Sequence, residues 1–200
     1  MVAAEGARLV MDRRAAVAKL LDARNDALVV SGLGSPSYDV YAHGDNDANY
    51  YLWGAMGGAA LTGLGLAQAQ PDKRVMVITG DGEMLMAFGS LPTIAVAAPL
   101  NLDIIVLDNH HYGETGMQKS HTGMGIDFSK IAMATGFADS GVLYNLCEVD
   151  TLCETLNSVS AGPRLYVLKV EAKNLQRALP PRDAVFIKNR FRSHLGFQPG

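Results

Sequence analysis

The chain has 200 residues, of which 48% are hydrophobic and 18% are charged, and this composition excludes a disordered or fibrous protein. The formal net charge is −3, and Lys and Arg form no basic block beyond a small group near the C-terminus, so nucleic acid is not expected as a partner. Because no apolar run reaches the roughly 18 residues that cross a bilayer and the first residues lack a secretory signal, we expect no membrane association and a cytoplasmic location.

The first third of the chain predicts two helices, one strand and a polar loop. Residues 9–24 place apolar side chains at helical spacing among charged ones and predict an amphipathic helix. Residues 27–31 predict a short buried strand, and the segment 32–51, rich in Gly, Ser, Asn and Asp, predicts a loop with room for one helical turn. The small-residue segment 54–70 predicts a closely packed helix.

From residue 74 onward, apolar strands alternate with helices. The predicted strands are 74–79, 102–108, 140–144 and 164–170, and the predicted helices are 83–97, 128–135 and 149–159. Continuously apolar strands separated by helices indicate a parallel sheet covered on both faces. We therefore expect residues 1–200 to form one α/β domain, a three-layer α/β/α arrangement with a mostly parallel sheet. Ligands of such sheets bind beyond the carboxyl ends of the strands, so the candidate segments are 31–35, 80–83 and 109–125.

The sequence Gly80-Asp81-Gly82 follows a predicted strand and precedes a predicted helix. Glycines on both sides of Asp81 allow a tight turn and the close approach of a bulky group, and the amides that start the helix can bind an anion. Taken alone, the pattern favours a simpler interpretation, in which Asp81 caps the helix.

Asp108 and Asn109 close the next apolar strand. Adjacent parallel strands joined by one helix end side by side, so Asp81 and Asn109 are expected to lie close together. A carboxylate, an amide oxygen and loop carbonyls suit Mg²⁺ when phosphate oxygens complete the shell, although Asn109 could instead cap a turn. The two strand ends together predict a metal ion and a phosphorylated cofactor.

GDG followed at this spacing by Asn, with each half closing an apolar strand, resembles the signature of the diphosphate-binding domain of thiamine diphosphate enzymes. The resemblance runs through "GAMGGAALTGLGLAQAQPDKRVMVITGDGEMLM" and "VLDNHHYGETGMQKSHTG", and it covers nearly all of the chain from Val29 to Leu195. Within that family, the chain looks most like the β subunits of sulfopyruvate decarboxylase and the matching half of phosphonopyruvate decarboxylase.

The resemblance implies that Asp81, Asn109 and the main-chain carbonyl oxygen of His111 bind Mg²⁺. It also implies that the amides of Gly82 and Glu83 hold the diphosphate, and that Met56 supports the bent cofactor, which brings an amino group close to the carbon that must lose a proton. In isolation Met56 would be taken for a core residue. The implied cofactor-binding set is Gly54, Met56, Gly80, Asp81, Gly82, Glu83, Asn109, His111, Tyr112 and Gly113.

Two departures from the family pattern leave questions open. Glu83 stands where relatives often carry Ser, and the sequence does not indicate whether its carboxylate turns away from the phosphates or has a local task. The loop after Asn109 reads "ETGMQKSH" rather than "STGGQ", so the substrate is not fixed by analogy. His110, Lys119 and His121 are the candidates for contact with an anionic substrate, although loop cations commonly face solvent.

The resemblance also implies a partner. In the family, the Glu that activates the cofactor lies on a pyrimidine-binding domain, and 200 residues accommodate only the diphosphate-binding one. We therefore expect a hetero-oligomer, α₂β₂ or larger, that holds the cofactor at the subunit interface, with helix 56–69 and loop 109–125 facing the partner. The expected reaction is decarboxylation of a small 2-oxo acid, similar to sulfopyruvate or phosphonopyruvate, to CO₂ and an aldehyde.

Other functions remain open at this point. One alternative is a carboligase of the acetolactate synthase kind, and another is a non-catalytic cofactor-binding subunit. A 2-oxo acid oxidoreductase β subunit would bring iron–sulfur cysteines, whereas Cys147 and Cys153 stand without a second pair and predict no metal or redox site. A nicotinamide-binding turn at "GLGSPS" lacks its third glycine.

Overall fold

The computed structural model describes residues 10–198. The strands are β1 Leu28–Ser31, β2 Asn49–Tyr51, β3 Val75–Gly80, β4 Leu102–Asp108, β5 His111–Tyr112, β6 Gln118–Lys119, β7 Asp139–Leu143 and β8 Arg164–Lys169. The α-helices are α1 Arg13–Asp22, α2 Ser35–His43, α3 Ala59–Ala69, α4 Asp81–Met86, α5 Ser90–Ala97, α6 Phe128–Thr135, α7 Leu146–Leu156 and α8 Ala184–His194, and a 3-10 helix spans His121–Met124.

A parallel six-stranded sheet, in the order β2-β1-β3-β4-β8-β7, forms the middle layer. Every residue of β4 is buried, and its side chains alternate between two apolar clusters. Ile104 and Val106 pack with side chains of α3, α5 and α6, while Ile105 and Leu107 pack with side chains of α1 and α7. Because helices cover both faces, the strands read as continuous apolar runs, and the predicted three-layer architecture is confirmed.

Several predicted elements have the observed bounds or nearly so. The strand 102–108 and the helix 128–135 are confirmed at both ends. The predicted helix 149–159 begins three residues earlier, because Asn145 accepts a hydrogen bond from the amide of Glu148 and caps it. The helix predicted over 9–24 spans Arg13–Asp22 with Asp12 as its N-cap, and residue 9 lies outside the described residues.

The prediction for residues 32–51 was wrong, because this segment contains the nine-residue helix α2 and the edge strand β2. The buried face of α2 includes Ser37 and Asp39, whose polar side chains concealed the apolar pattern of a helix. Both are satisfied inside the fold, since the Ser37 hydroxyl donates to the Gly32 carbonyl at 2.7 Å and Asp39 pairs with Arg13 and Arg14.

The single helix predicted over 83–97 was also wrong, since α4 ends at Met86 and α5 begins at Ser90. Gly89 is the N-cap residue of α5, so a short glycine-containing turn separates the two helices. Helix α8 near the C-terminus was not predicted. Within residues 10–198, no helix has the length and apolar character needed to cross a membrane. Cys147 is exposed and Cys153 is partly buried, and both are free thiols.

Candidate site at the carboxyl ends of the strands

A cavity of about 300 Å³ lies where β1, β3 and β4 end. Nine of the ten predicted cofactor-binding residues line it: Met56, Gly80, Asp81, Gly82, Glu83, Asn109, His111, Tyr112 and Gly113. Gly54 is not in the lining, but it has a positive φ of 70° in the same loop as Met56. Gly34 and Ser35, in the predicted candidate segment 31–35, and the adjacent Pro36 face the same space, although the predicted cofactor-binding set did not include them.

Asp81, the first residue of α4, is 2% exposed. Its Oδ2 atom accepts hydrogen bonds from the hydroxyls of Ser120 at 2.5 Å and Thr122 at 3.1 Å. Burial, together with the charge of Asp108, raises the pKa of Asp81 to about 6. Within residues 10–198 no Lys or Arg pairs with Asp81, so this buried carboxylate has hydroxyl donors and no cation.

Asp108 is a second buried carboxylate beside Asp81, because Gly80 pairs with Leu107 and the two acids follow these residues. Lys169 donates to Oδ2 of Asp108 at 2.5 Å, and Thr122 donates to its Oδ1 at 2.7 Å. No role was predicted for Asp108. The sequence did hold a signal, since Lys169 ends the neighbouring strand β8 in register with Asp108.

Asn109 begins the turn that leads into β5. Its Oδ1 atom accepts a hydrogen bond from the amide of His111 at 2.9 Å, and its carbonyl oxygen lies 2.8 Å from Nδ1 of His111. The turn-capping alternative therefore describes part of what Asn109 does. A carboxamide oxygen keeps a second lone pair, so the same side chain is still able to bind a metal ion.

The space beside Gly82 is occupied by the ring of Tyr112. A Cβ atom added at Gly82 would lie 2.5 Å from Cε1 of Tyr112, which is closer than such atoms approach. Glycine at this position therefore allows an aromatic ring to lie against the turn, in addition to the room for a diphosphate that the sequence suggested.

Glu83 turns into the protein, which answers the question that its sequence position raised. It is 4% exposed, and its Oε2 atom accepts hydrogen bonds from the Leu33 amide at 3.1 Å and the Thr79 hydroxyl at 3.0 Å. Its Oε1 atom accepts a hydrogen bond from the Gly57 amide at 3.2 Å. Burial raises the pKa of Glu83, while these donors favour its charged form.

The three predicted substrate contacts lie outside the lining of this cavity. His110 faces a second cavity of about 480 Å³, where its Nε2 atom lies 2.9 Å from Nζ of Lys169. Lys119 and His121 are exposed. Among the described residues, the Lys or Arg that lines the first cavity is Arg13, which is 6% exposed and whose Nε donates to Asp39. Arg13 was not predicted, because its position depends on how α1 packs against α2.

Residues 10–198 contain no cluster of three or more His, Cys, Asp or Glu side chains that would hold a metal ion by itself. The predicted set does not require one, since it combines one carboxylate with an amide oxygen, a main-chain oxygen and phosphate oxygens. Asp81, a buried carboxylate without a paired cation in residues 10–198, fits a metal coordination shell that phosphate oxygens complete.

Residues 36–169 match the family described as thiamine pyrophosphate enzyme, C-terminal TPP binding domain. Among curated proteins, the chain is 45% identical over 109 residues to sulfopyruvate decarboxylase subunit beta from Methanocaldococcus jannaschii, covering 54% of this chain and 57% of that protein. It is 39% identical over 129 residues to the protein of the same name from Methanothermobacter thermautotrophicus, covering 64% and 69%. It is 35% identical over 191 residues to phosphonopyruvate decarboxylase from Streptomyces viridochromogenes, covering 94% of this chain and 47% of the relative.

Solved structures share the fold. Benzoylformate decarboxylase from Polynucleobacter necessarius matches with a TM-score of 0.69 and 18% identity, covering 82% of this chain and 34% of that one. A thiamine diphosphate-dependent 4-hydroxybenzoylformate decarboxylase from Rhodococcus jostii RHA1 matches with the same TM-score and 22% identity, covering 81% and 33%. At these identities the likeness shows the fold alone.

Proposed function

The chain belongs to the thiamine pyrophosphate enzyme family through its C-terminal cofactor-binding domain, and from this we propose that it is the thiamine diphosphate-binding subunit of a split 2-oxo acid decarboxylase. The names of its relatives support a small acidic substrate, similar to sulfopyruvate or phosphonopyruvate. The chain spans about half the length of the phosphonopyruvate decarboxylase that it matches, and we propose that residues 1–200 form a single diphosphate-binding domain.

The buried carboxylate of Asp81 is the observation that carries this proposal. Burial of a charged carboxylate that is 2% exposed and has no paired cation within residues 10–198 destabilises the folded protein unless a ligand neutralises the charge. We propose that Asp81, the Asn109 amide oxygen and the His111 carbonyl oxygen hold Mg²⁺, and that the amides of Gly82 and Glu83 donate to a diphosphate at the start of α4.

When bound, thiamine diphosphate supplies the electron sink that a 2-oxo acid needs in order to lose CO₂. The residues of this chain would bind and orient it. Met56, which is 39% exposed and lines the cavity, would support the cofactor rings, and the Tyr112 ring would close one side of the diphosphate site. Arg13 is the Lys or Arg in the described part of the cavity lining, and we propose that it offsets the negative charge of the cavity.

The proposed partner is a subunit that carries the pyrimidine-binding domain and its activating Glu. The designation "subunit beta" of the methanogen relatives supports such a partner. The surface near the cavity also supports it, because apolar side chains around the predicted interface are exposed: Met56, Leu61, Met86, Phe88 and Met124. The α₂β₂ arrangement and the cytoplasmic location stay predictions.

The proposed function is tested by co-expressing the chain with the product of the neighbouring gene and measuring aldehyde release from 2-oxo acids. Sulfopyruvate, phosphonopyruvate and pyruvate are supplied with thiamine diphosphate and Mg²⁺. We expect turnover of an acidic substrate by the complex and none by either subunit alone. A 2-hydroxy ketone product would instead identify a carboligase, and cofactor binding without turnover of any 2-oxo acid would identify a non-catalytic subunit.

A further inference from the structure

The Glu83 carboxylate connects three separate segments at the carboxyl edge of the sheet. Through its hydrogen bonds it joins Leu33 in the turn after β1, Thr79 at the end of β3 and Gly57 in the loop before α3. The first and third of these donors are backbone amides. Since Glu83 itself lies in the first turn of α4, one side chain ties the Gly80–Glu83 turn to two neighbouring loops.

The surrounding backbone is shaped to admit this carboxylate. A Cβ atom at Gly32 would lie 1.8 Å from Oε2 of Glu83, so only glycine leaves the necessary space. Helix α3 has no side-chain hydrogen bond at its N-cap residue Gly58, and Glu83 brings negative charge to this end of the helix through Gly57. A negative charge at a helix N-terminus is stabilising.

The loop that Glu83 holds carries Met56. Gly54 and Gly57 on either side of Met56 both have positive φ, of 70° and 92°, so this segment has the backbone freedom of glycine. In the part of the chain that the structure describes, the bond from Gly57 to Glu83 is the hydrogen bond found between residues 54–57 and another element of the fold. That bond therefore ties the segment that carries Met56 to Glu83.

We infer that Glu83 is a positioning residue, whose carboxylate fixes Met56 relative to the Gly80–Glu83 turn. The role of Glu83 in holding residues 54–57 rests on its hydrogen bonds alone. Its consequence for the cofactor rests on the proposed function: the support for the cofactor rings and the site for the diphosphate would be held at a set separation by one side chain. Glu83 then acts on the chemistry through Met56 rather than by touching the reacting atoms.

The first test uses the full chain without cofactor. Amide hydrogen exchange is followed by mass spectrometry in the wild type and in Glu83→Gln, which keeps the size of the side chain but turns one acceptor into a donor. We expect the amides of Gly57 and Leu33 to exchange about tenfold faster or more, because a hydrogen bond to a charged acceptor is lost. Exchange in β4 and α6 should not change.

Two further variants keep this test decisive. Gly32→Ala leaves Glu83 in place but pushes its carboxylate aside, so it should accelerate exchange in 54–59 as Glu83→Gln does. Glu148→Gln is the matched control, because Glu148 also accepts a hydrogen bond from a backbone amide, that of Tyr144, and neither residue lines the first cavity. Unchanged exchange in 54–59, or a uniform acceleration over the whole chain in both cavity variants, would overturn the inference.

The second test uses the complex with its partner subunit, Mg²⁺ and saturating thiamine diphosphate. The rate of deuterium exchange at C2 of the bound cofactor should fall about ten- to hundredfold in Glu83→Gln, because a small displacement of a positioning group has effects of this size. The Kd of inorganic pyrophosphate, which has no rings for Met56 to support, should change less than about threefold. Equal losses in both measurements, or none in either, would contradict the positioning role. If the wild-type complex binds no thiamine diphosphate, the proposed function fails, while the amide exchange still decides the role of Glu83.

Discussion

Buried carboxylates at the two ends of the central strands have different partners. At the amino end, Asp103 is 1% exposed and receives hydrogen bonds from Nε and Nη2 of Arg164 at 2.6 Å and 3.1 Å, with Arg74 3.7 Å away. At the carboxyl end, Asp81 is as deeply buried but has hydroxyl donors and no cation within residues 10–198. The first charge is neutralised by the fold, and we propose that a ligand neutralises the second.

Asp108 shows that position in the sheet does not by itself decide this difference. It lies at the same end as Asp81, yet Lys169 neutralises it. What distinguishes Asp81 is that no cation within residues 10–198 pairs with it, and burial and the charge of Asp108 raise its pKa to about 6. The following predictions test whether Asp103 stabilises the fold and whether Asp81 serves only to bind a ligand.

The largest effect on stability is expected from Asp103→Asn. This change removes the counter-charge of the buried Arg164 and of the partly buried Arg74, and it should lower the free energy of unfolding by about 3 to 5 kcal/mol. Urea denaturation measures the loss. A decrease below about 1 kcal/mol would show that the buried pair is not structural and would remove the basis of the comparison.

Asp81→Asn should have the opposite sign near neutral pH. Since the pKa of Asp81 is raised to about 6, the folded state binds more protons than the unfolded state between about pH 4 and 6, so the contribution of Asp81 to stability falls as pH rises through this window. Without added metal, we expect the variant to exceed the wild type by about 1 to 3 kcal/mol at pH 7.5 and by much less at pH 4.5.

Urea unfolding at the two pH values, with a chelator present, measures this difference. A variant that is less stable than the wild type at pH 7.5 would show that Asp81 stabilises the fold by itself. Asp81 and Asp103 would then belong to the same class, and the contrast between the two ends of the strands would be lost.

Thr122→Val should give the smallest change in stability. The Thr122 hydroxyl has one proton to share between Asp81 and Asp108, and valine keeps the shape without the donor. We expect a loss of about 1 kcal/mol. The pKa of Asp81 should also rise, because a hydrogen bond to its charged form is removed, and carboxyl NMR titration measures it. An unchanged pKa would exclude Thr122 from the environment of Asp81.

The fold was predictable from the sequence where local pattern and tertiary structure agree. β4 is apolar throughout because helices cover both sides, so its bounds follow from the sequence. Helix α2 was not predictable, since Asp39 is buried only because Arg13, which is 26 residues away, reaches it. A pairing over that distance leaves no local signal.

The candidate site was predictable to a similar extent. Gly80 ends β3 and Asn109 directly follows β4, so their convergence follows from the parallel order. The environment of Asp81 did not follow, because its donors Ser120 and Thr122 lie 39 and 41 residues later and arrive through the turn after β6. The contacts of Glu83 with three separate segments are likewise a product of the assembled fold.

Calorimetric titration of thiamine diphosphate into the complex with its partner, in Mg²⁺ and in chelator, tests most directly that Asp81 is reserved for a ligand. The account predicts that chelation and Asp81→Asn each weaken binding about a hundredfold or more, and that their effects do not add. Folded Asp103→Asn protein should bind within about threefold of the wild type, since Asp103 lies at the other end of β4. Metal-dependent binding of undiminished affinity by Asp81→Asn would contradict the account.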